Sequence, residues 1–189
     1  MQNIVLDAKK TALVAIDLQN ALMAVPGAPH AVVDVAARTR RIADALRAQG
    51  GLVVWVRVNL NDFLSLPVDE PSRFGGKDMP EELSQIAPAA GAQPADIVIT
   101  KRHWGAFAGT TLEQELRAWG VETVILTGVA TNVGVESTLR QGTGLGFAFV
   151  VPADACSALS EEEHRYSMEK VFGRLARVRT TDEVVAALA

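Results

Sequence analysis

The chain has 189 residues, 49% of them hydrophobic, and a formal net charge of −4. It can bury a core as one domain over 1–189, and it lacks the basic excess that nucleic-acid binding leaves. No apolar run approaches the ~20 residues of a membrane-spanning helix, and MQNIVLDAKK lacks the apolar stretch of a signal peptide.

Strand and helix patterns then alternate. Thr11 to Asp17 is a near-continuous apolar strand, and Val32 to Gln49 has helical periodicity ended by Gly50-Gly51. Leu52 to Val58 is a second buried strand. Asn59 to Pro94 is irregular, proline-rich and marked by Gly75-Gly76, with one short helix expected over Pro80 to Ile86. Ile97 to Thr100 is a third strand, Thr110 to Trp119 a helix, and Val121 to Leu126 a fourth strand. A turn of small residues follows, then a helix from Val133 to Gln141 with Thr131 or Asn132 as its cap. Phe147 to Val151, Glu161 to Phe172, Leu175 to Val178 and Thr181 to Leu188 read as strand, helix, strand and helix, the last capped by Thr180 or Thr181. Repeated βα units imply an α/β fold, with a Rossmann-like parallel sheet covered by helices on both faces.

In such sheets ligands bind beyond the carboxyl ends of the strands. Asp17 ends the first strand, Arg57 lies at the end of the second, Lys101 follows the third and the Gly128 to Gly134 turn follows the fourth. Together they offer an acid or base, a charge partner and a run of backbone N–H groups suited to an anion. A nucleophilic enzyme would place Cys or Ser at the first exposed helical position, and Gly134 stands there.

Asp17 in VAIDLQN, Lys101 in ITKRHWGAF and the segment GVATNVGVEST together resemble the isochorismatase-like hydrolase family, from about Thr11 to Val184. The resemblance implies a three-layer α/β/α sandwich around a six-stranded parallel sheet. Most members use an Asp–Lys–Cys triad on amides, and that pattern places the Cys at Gly134. True isochorismatases are similar in lacking the Cys; they hydrolyse an enol ether to release pyruvate, with the Asp as acid. The resemblance therefore implies Asp17 and Lys101 as catalytic residues. It also implies a cis peptide at Val129–Ala130, turning the Ala130 N–H beside that of Gly134 as an anion hole. Family members are commonly oligomers, so a dimer or tetramer is expected. The helix face from Val133 to Leu139 is a candidate contact. No cofactor is implied, and the segment RVNLNDF has no His, so the metal motif of nicotinamidases does not carry over.

The single cysteine, Cys156, excludes an intrachain disulfide, fits a reducing cytoplasm and has no visible activating neighbour. His30, His103 and His164 lack zinc spacing. Arg57 either pairs with a surface acid or binds a substrate carboxylate. Trp104 and Phe107 either line the pocket or pack a loop. Glu136 reads as a first-turn acid stabilising a helix N-terminus or as a partner of Arg140, and Asp154 as a turn or cap residue. Burial would raise the Asp17 pKa while Lys101 would lower it. Two functions stay open. One is a hydrolase using Asp17 and water on a small carboxylate-bearing enol ether or ester such as isochorismate. The other is a catalytically silent binding or assembly subunit.

Overall fold

The computed structural model describes residues 4–72 and 78–188, so Gly75-Gly76 lie outside the described residues. Its centre is a parallel sheet of β1 (Thr11–Ile16), β2 (Leu52–Val58), β3 (Ile97–Lys101), β4 (Thr123–Val129), β5 (Ala148–Pro152), β6 (Cys156–Ser157) and β7 (Arg177–Arg179). The order is β3-β2-β1-β4-β5-β7, with the two-residue β6 pairing β4 beyond the end of β5. The main path thus has the six expected strands. β6 escapes a sequence reading because two residues carry no periodicity.

Both faces of the sheet are apolar, as parallel strands buried between helices require. Alternate residues of β1 divide between two cores. Ala12, Val14 and Ile16 join one with Leu126, Leu139, Phe149 and Phe172. Leu13 and Ala15 join the other with Trp55, Ile125, Val35, Ile42 and Leu46. The helices α2 (Val32–Ala48) and α6 (Thr181–Ala187) cover the second face, while α3 (Leu112–Trp119) and α4 (Glu136–Gly144) cover the first. A one-turn helix, α1 (Asn20–Met23), follows β1.

Several helix ends differ from the periodic pattern. The helix expected from Glu161 to Phe172 is α5 (Glu161–Tyr166), continued by a π-helical turn at Ser167–Val171 and a 3₁₀ turn at Phe172–Arg174. The short helix near Pro80 is a 3₁₀ turn, Glu81–Ser84. Thr180 caps α6 through a reciprocal capping box with Glu183. Asp154 supports the same end, its Oδ1 accepting from the Thr181 N–H at 2.7 Å.

The sheet reverses strand order between β1 and β4, and there the backbones nearly touch. Gly128 pairs with Ile16, has φ +117°, and a Cβ on it would lie 2.1 Å from the Ile16 carbonyl oxygen. Only glycine meets both demands. Gly128→Ala is expected to lose at least about 3 kcal/mol in urea unfolding or to fail to fold, from combined backbone strain and overlap. A loss below about 1 kcal/mol would contradict this packing.

Candidate active site

Asp17 is the residue immediately after β1, in the crevice where the strand order reverses. Its backbone is left-handed, φ 55°, an arrangement that carries strain in a non-glycine residue and is frequent at functional sites. Its N–H still donates to the Val56 carbonyl at 2.9 Å, so the turn begins without losing the β2 ladder.

Lys101 ends β3 and lies almost wholly inside, at 2% exposure. A lysine is rarely so buried without partners, and it has two. Its Nζ donates to Asp17 Oδ2 at 2.9 Å and to the His103 carbonyl at 3.0 Å. Asp17 Oδ1 is also buried and has no hydrogen-bond partner among the described residues. Burial pushes the Asp17 carboxyl above its ordinary value, against the opposing pull of Lys101. The contest that the sequence leaves open therefore falls to desolvation.

The third contributor is the segment after β4. The Val129–Ala130 peptide is cis, and Thr131–Val135 forms a π-helical turn leading into α4. Gly134 faces the acid: a Cβ there would sit 3.3 Å from Asp17 Oδ2 and 2.9 Å from Ile16 Cγ2. A side chain at 134 would thus enter the crevice directly against Asp17.

These groups open into a cavity of about 210 Å³, lined by Asp17, Lys101, Ala130, Gly134 and Trp104 among the residues singled out from sequence. The walls are otherwise mostly apolar, from Leu22, Val58, Leu60, Phe63, Val129, Val133 and Leu159, with Gln19 and Ser72. Gln19 is spent on the fold: its amide donates to Val58 O and Leu83 O and accepts from Val58 N–H. Its place two residues after Asp17 was a usable signal. Val58, Leu60 and Phe63 lay in the stretch where no periodicity marks inward-facing positions.

Arg57 and Phe107 are not in that lining, which corrects their assignment as substrate-binding residues. Arg57 points along the sheet, donating to Thr100 Oγ1 at 3.1 Å and Ser84 O at 3.4 Å. Phe107 stacks on Phe147 with centroids 5.9 Å apart. Trp104 sits at the cavity with His103 stacked on it and Phe63 stacked on His103. Glu136 pairs with Arg140 at 2.9 Å and accepts from Ser167 Oγ.

Two further expectations fail. The face from Val133 to Leu139 is not a free surface: Val135 and Leu139 are in the core and Val133 lines the cavity. Neither Thr131 nor Asn132 caps the helix; Thr131 Oγ1 instead meets the buried His164 Nδ1 at 2.9 Å. Cys156 is fully buried beside the Leu126 carbonyl, and burial drives its thiol pKa far up, so no thiolate is available there. Among the described residues no three His, Cys, Asp or Glu side chains converge to hold a metal ion.

Burial also lowers His164 from 6.5 to about 4, with His30 at 6.1 Å adding to the effect. The folded state keeps this imidazole neutral while the unfolded chain protonates it. Its contribution to stability is therefore complete above pH 6.5 and lost as pH falls toward 4. At 1.36 kcal/mol per unit, discounted for solvent screening, the loss is on the order of 1–2 kcal/mol. Urea unfolding across this range is expected to show that decline, and His164→Gln to flatten it; an equal slope in the variant would contradict the assignment.

Comparison with known proteins identifies the family of the chain. The isochorismatase domain family matches residues 11–183. The isochorismatase family protein YecD of Escherichia coli O157:H7 is 46% identical over 187 residues, covering 97% of this chain and 98% of its own length. The ureidoacrylate amidohydrolase RutB of Variovorax paradoxus (strain S110) is 30% identical over 218 residues, covering 97% of this chain and 83% of its own. The solved structure of an isochorismatase family protein from Burkholderia thailandensis superposes with a TM-score of 0.93 at 38% identity over 99% of both chains. A chain matched over nearly its whole length by this family, and folded as its members are, belongs to the isochorismatase family of hydrolases.

Proposed function

We propose that the protein hydrolyses a small carboxylate-bearing enol ether or ester, such as isochorismate, without a covalent enzyme intermediate. Asp17 acts as general acid and base, and water is the nucleophile. The observation that carries this reading is the space at Gly134. The position from which a side chain would reach Asp17 holds none, while the only cysteine is buried elsewhere with its thiol held protonated.

Enol ether hydrolysis needs an acid rather than a protein nucleophile. The Asp17 proton goes to the terminal methylene carbon, leaving an oxocarbenium ion. Water adds to that ion and returns a proton to Asp17, and the resulting hemiketal collapses to a ketone and an alcohol. Oδ2 is occupied by Lys101, so Oδ1, buried and without a partner among the described residues, is the oxygen that carries the proton. Lys101 holds the carboxyl in place and offers positive charge to a substrate carboxylate. The Ala130 and Gly134 N–H groups act as the anion-binding donors. Trp104 forms one wall of the cavity without closing it, and Phe107 stays outside, which favours a working site over a silent one.

Pyruvate release from isochorismate in metal-free buffer tests the reading. The wild type is expected to turn over, with Asp17→Asn slower by at least about 100-fold, the usual contribution of a general acid. No release from the wild type would overturn isochorismate as substrate, and undiminished release by Asp17→Asn would overturn the role of Asp17.

The pH profile gives a second test. A protonated Asp17 is required, so kcat/KM should be flat at low pH and fall as pH rises through the raised Asp17 pKa. Lys101 opposes that rise, so Lys101→Met is expected to move the falling limb to higher pH while lowering the rate. A limb that moves to lower pH, or stays put, would contradict the electrostatic role of Lys101.

A further inference from the structure

Resting on the reading of the main cavity as the substrate site, we infer that it has a dry side chamber that takes a short aliphatic arm of the substrate. A second cavity of about 60 Å³ lies between Leu22, Val25, Val32, Val129, Ala158 and Leu159. It shares Leu22, Val129, Ala130 and Leu159 with the main cavity, so the two spaces abut along the Val129–Ala130 segment. At roughly 10–15 Å³ of such space per water-sized group, it holds about four to six heavy atoms.

Its chemistry is one-sided. The polar side chain among its described lining residues is Ser157, and that hydroxyl is already used. Its Oγ donates to the His30 carbonyl at 2.7 Å and accepts from the His30 N–H at 3.4 Å. Water entering the chamber would find few partners, whereas an alkyl group loses nothing by leaving water.

Part of the wall is held by backbone. Ala28 and Ala158 exchange two backbone hydrogen bonds, each 3.0 Å, in an isolated antiparallel bridge that pins the segment just after β6. Gly27 closes another side with backbone alone: a Cβ there would lie 2.5 Å from the His30 carbonyl oxygen and 3.3 Å from Val32 Cγ2. A chamber backed by held backbone and by α2 through Val32 should discriminate by length.

The test uses straight-chain alkanamides from acetamide to octanamide, whose neutral head avoids the charges on Asp17 and Lys101. Dissociation constants come from the NMR shift of the Trp104 indole N–H at the cavity wall. In the wild type, affinity is expected to rise about fourfold per methylene until the chamber is full and then stop rising. Ala158→Leu, which fills the chamber, should abolish the gain for the longer members and leave the short ones unchanged. Val32→Ala should carry the gain one methylene further, and it decides the matter should Ala158→Leu not fold. Asp17→Asn should change head-group binding while preserving the chain-length increment, separating failure of the acid's role from failure of the chamber. A wild type without chain-length dependence, or a cut-off that neither chamber variant moves, would overturn the inference.

Discussion

A carboxyl group and an ammonium group share a largely buried crevice here, brought from the ends of two strands that are not neighbours. Asp17 follows β1 and Lys101 closes β3, with β2 between them. Removing each charge from water costs several kcal/mol, and only a close, well-oriented pair offsets that. Lys101 meets the condition with two acceptors. Among the described residues Asp17 meets it on one oxygen only, Oδ2, and its Oδ1 is buried without a partner. Burial of that oxygen pushes the Asp17 pKa up, the direction an acid for enol ether chemistry would need.

The backbone around the pair is arranged to keep the crevice open. Gly128 lets β4 approach β1 so closely that the segment from Ala130 to Gly134 stands directly over Asp17. Gly134 then leaves empty the volume into which a side chain would project. The left-handed turn at Asp17 aims the carboxyl into that volume instead of along the strand. Strain, glycine placement and the cavity are thus parts of one arrangement at the point where strand order reverses.

Much of this was legible in the residues. Continuous apolar runs such as LVVWVRV mark strands buried on both faces, and their order with intervening helices fixes a parallel sheet. Asp17, Lys101, Ala130 and Gly134 were legible because strand ends are where such sheets hold their chemistry. Arg57 and Phe107 were misplaced because a strand end or a nearby loop does not say which way a side chain points. Arg57 turns to Thr100 and Ser84, and Phe107 to Phe147. The Thr131–His164 contact joins residues 33 apart in sequence through tertiary packing, and no local pattern signals it. The cavity wall from Val58 to Phe63 escaped for the same reason: its members are set by where the chain turns after β2 rather than by a repeat.

The central claim is that burial outweighs Lys101 at Asp17. The most direct measurement is the pKa of the Asp17 carboxyl in the resting protein, followed by carboxyl carbon NMR and assigned by loss of the signal in Asp17→Asn. The account predicts a midpoint clearly above the ordinary aspartate value of about 3.9. A midpoint at or below that value would mean that the ion pair with Lys101 prevails, and it would contradict Asp17 as the acid.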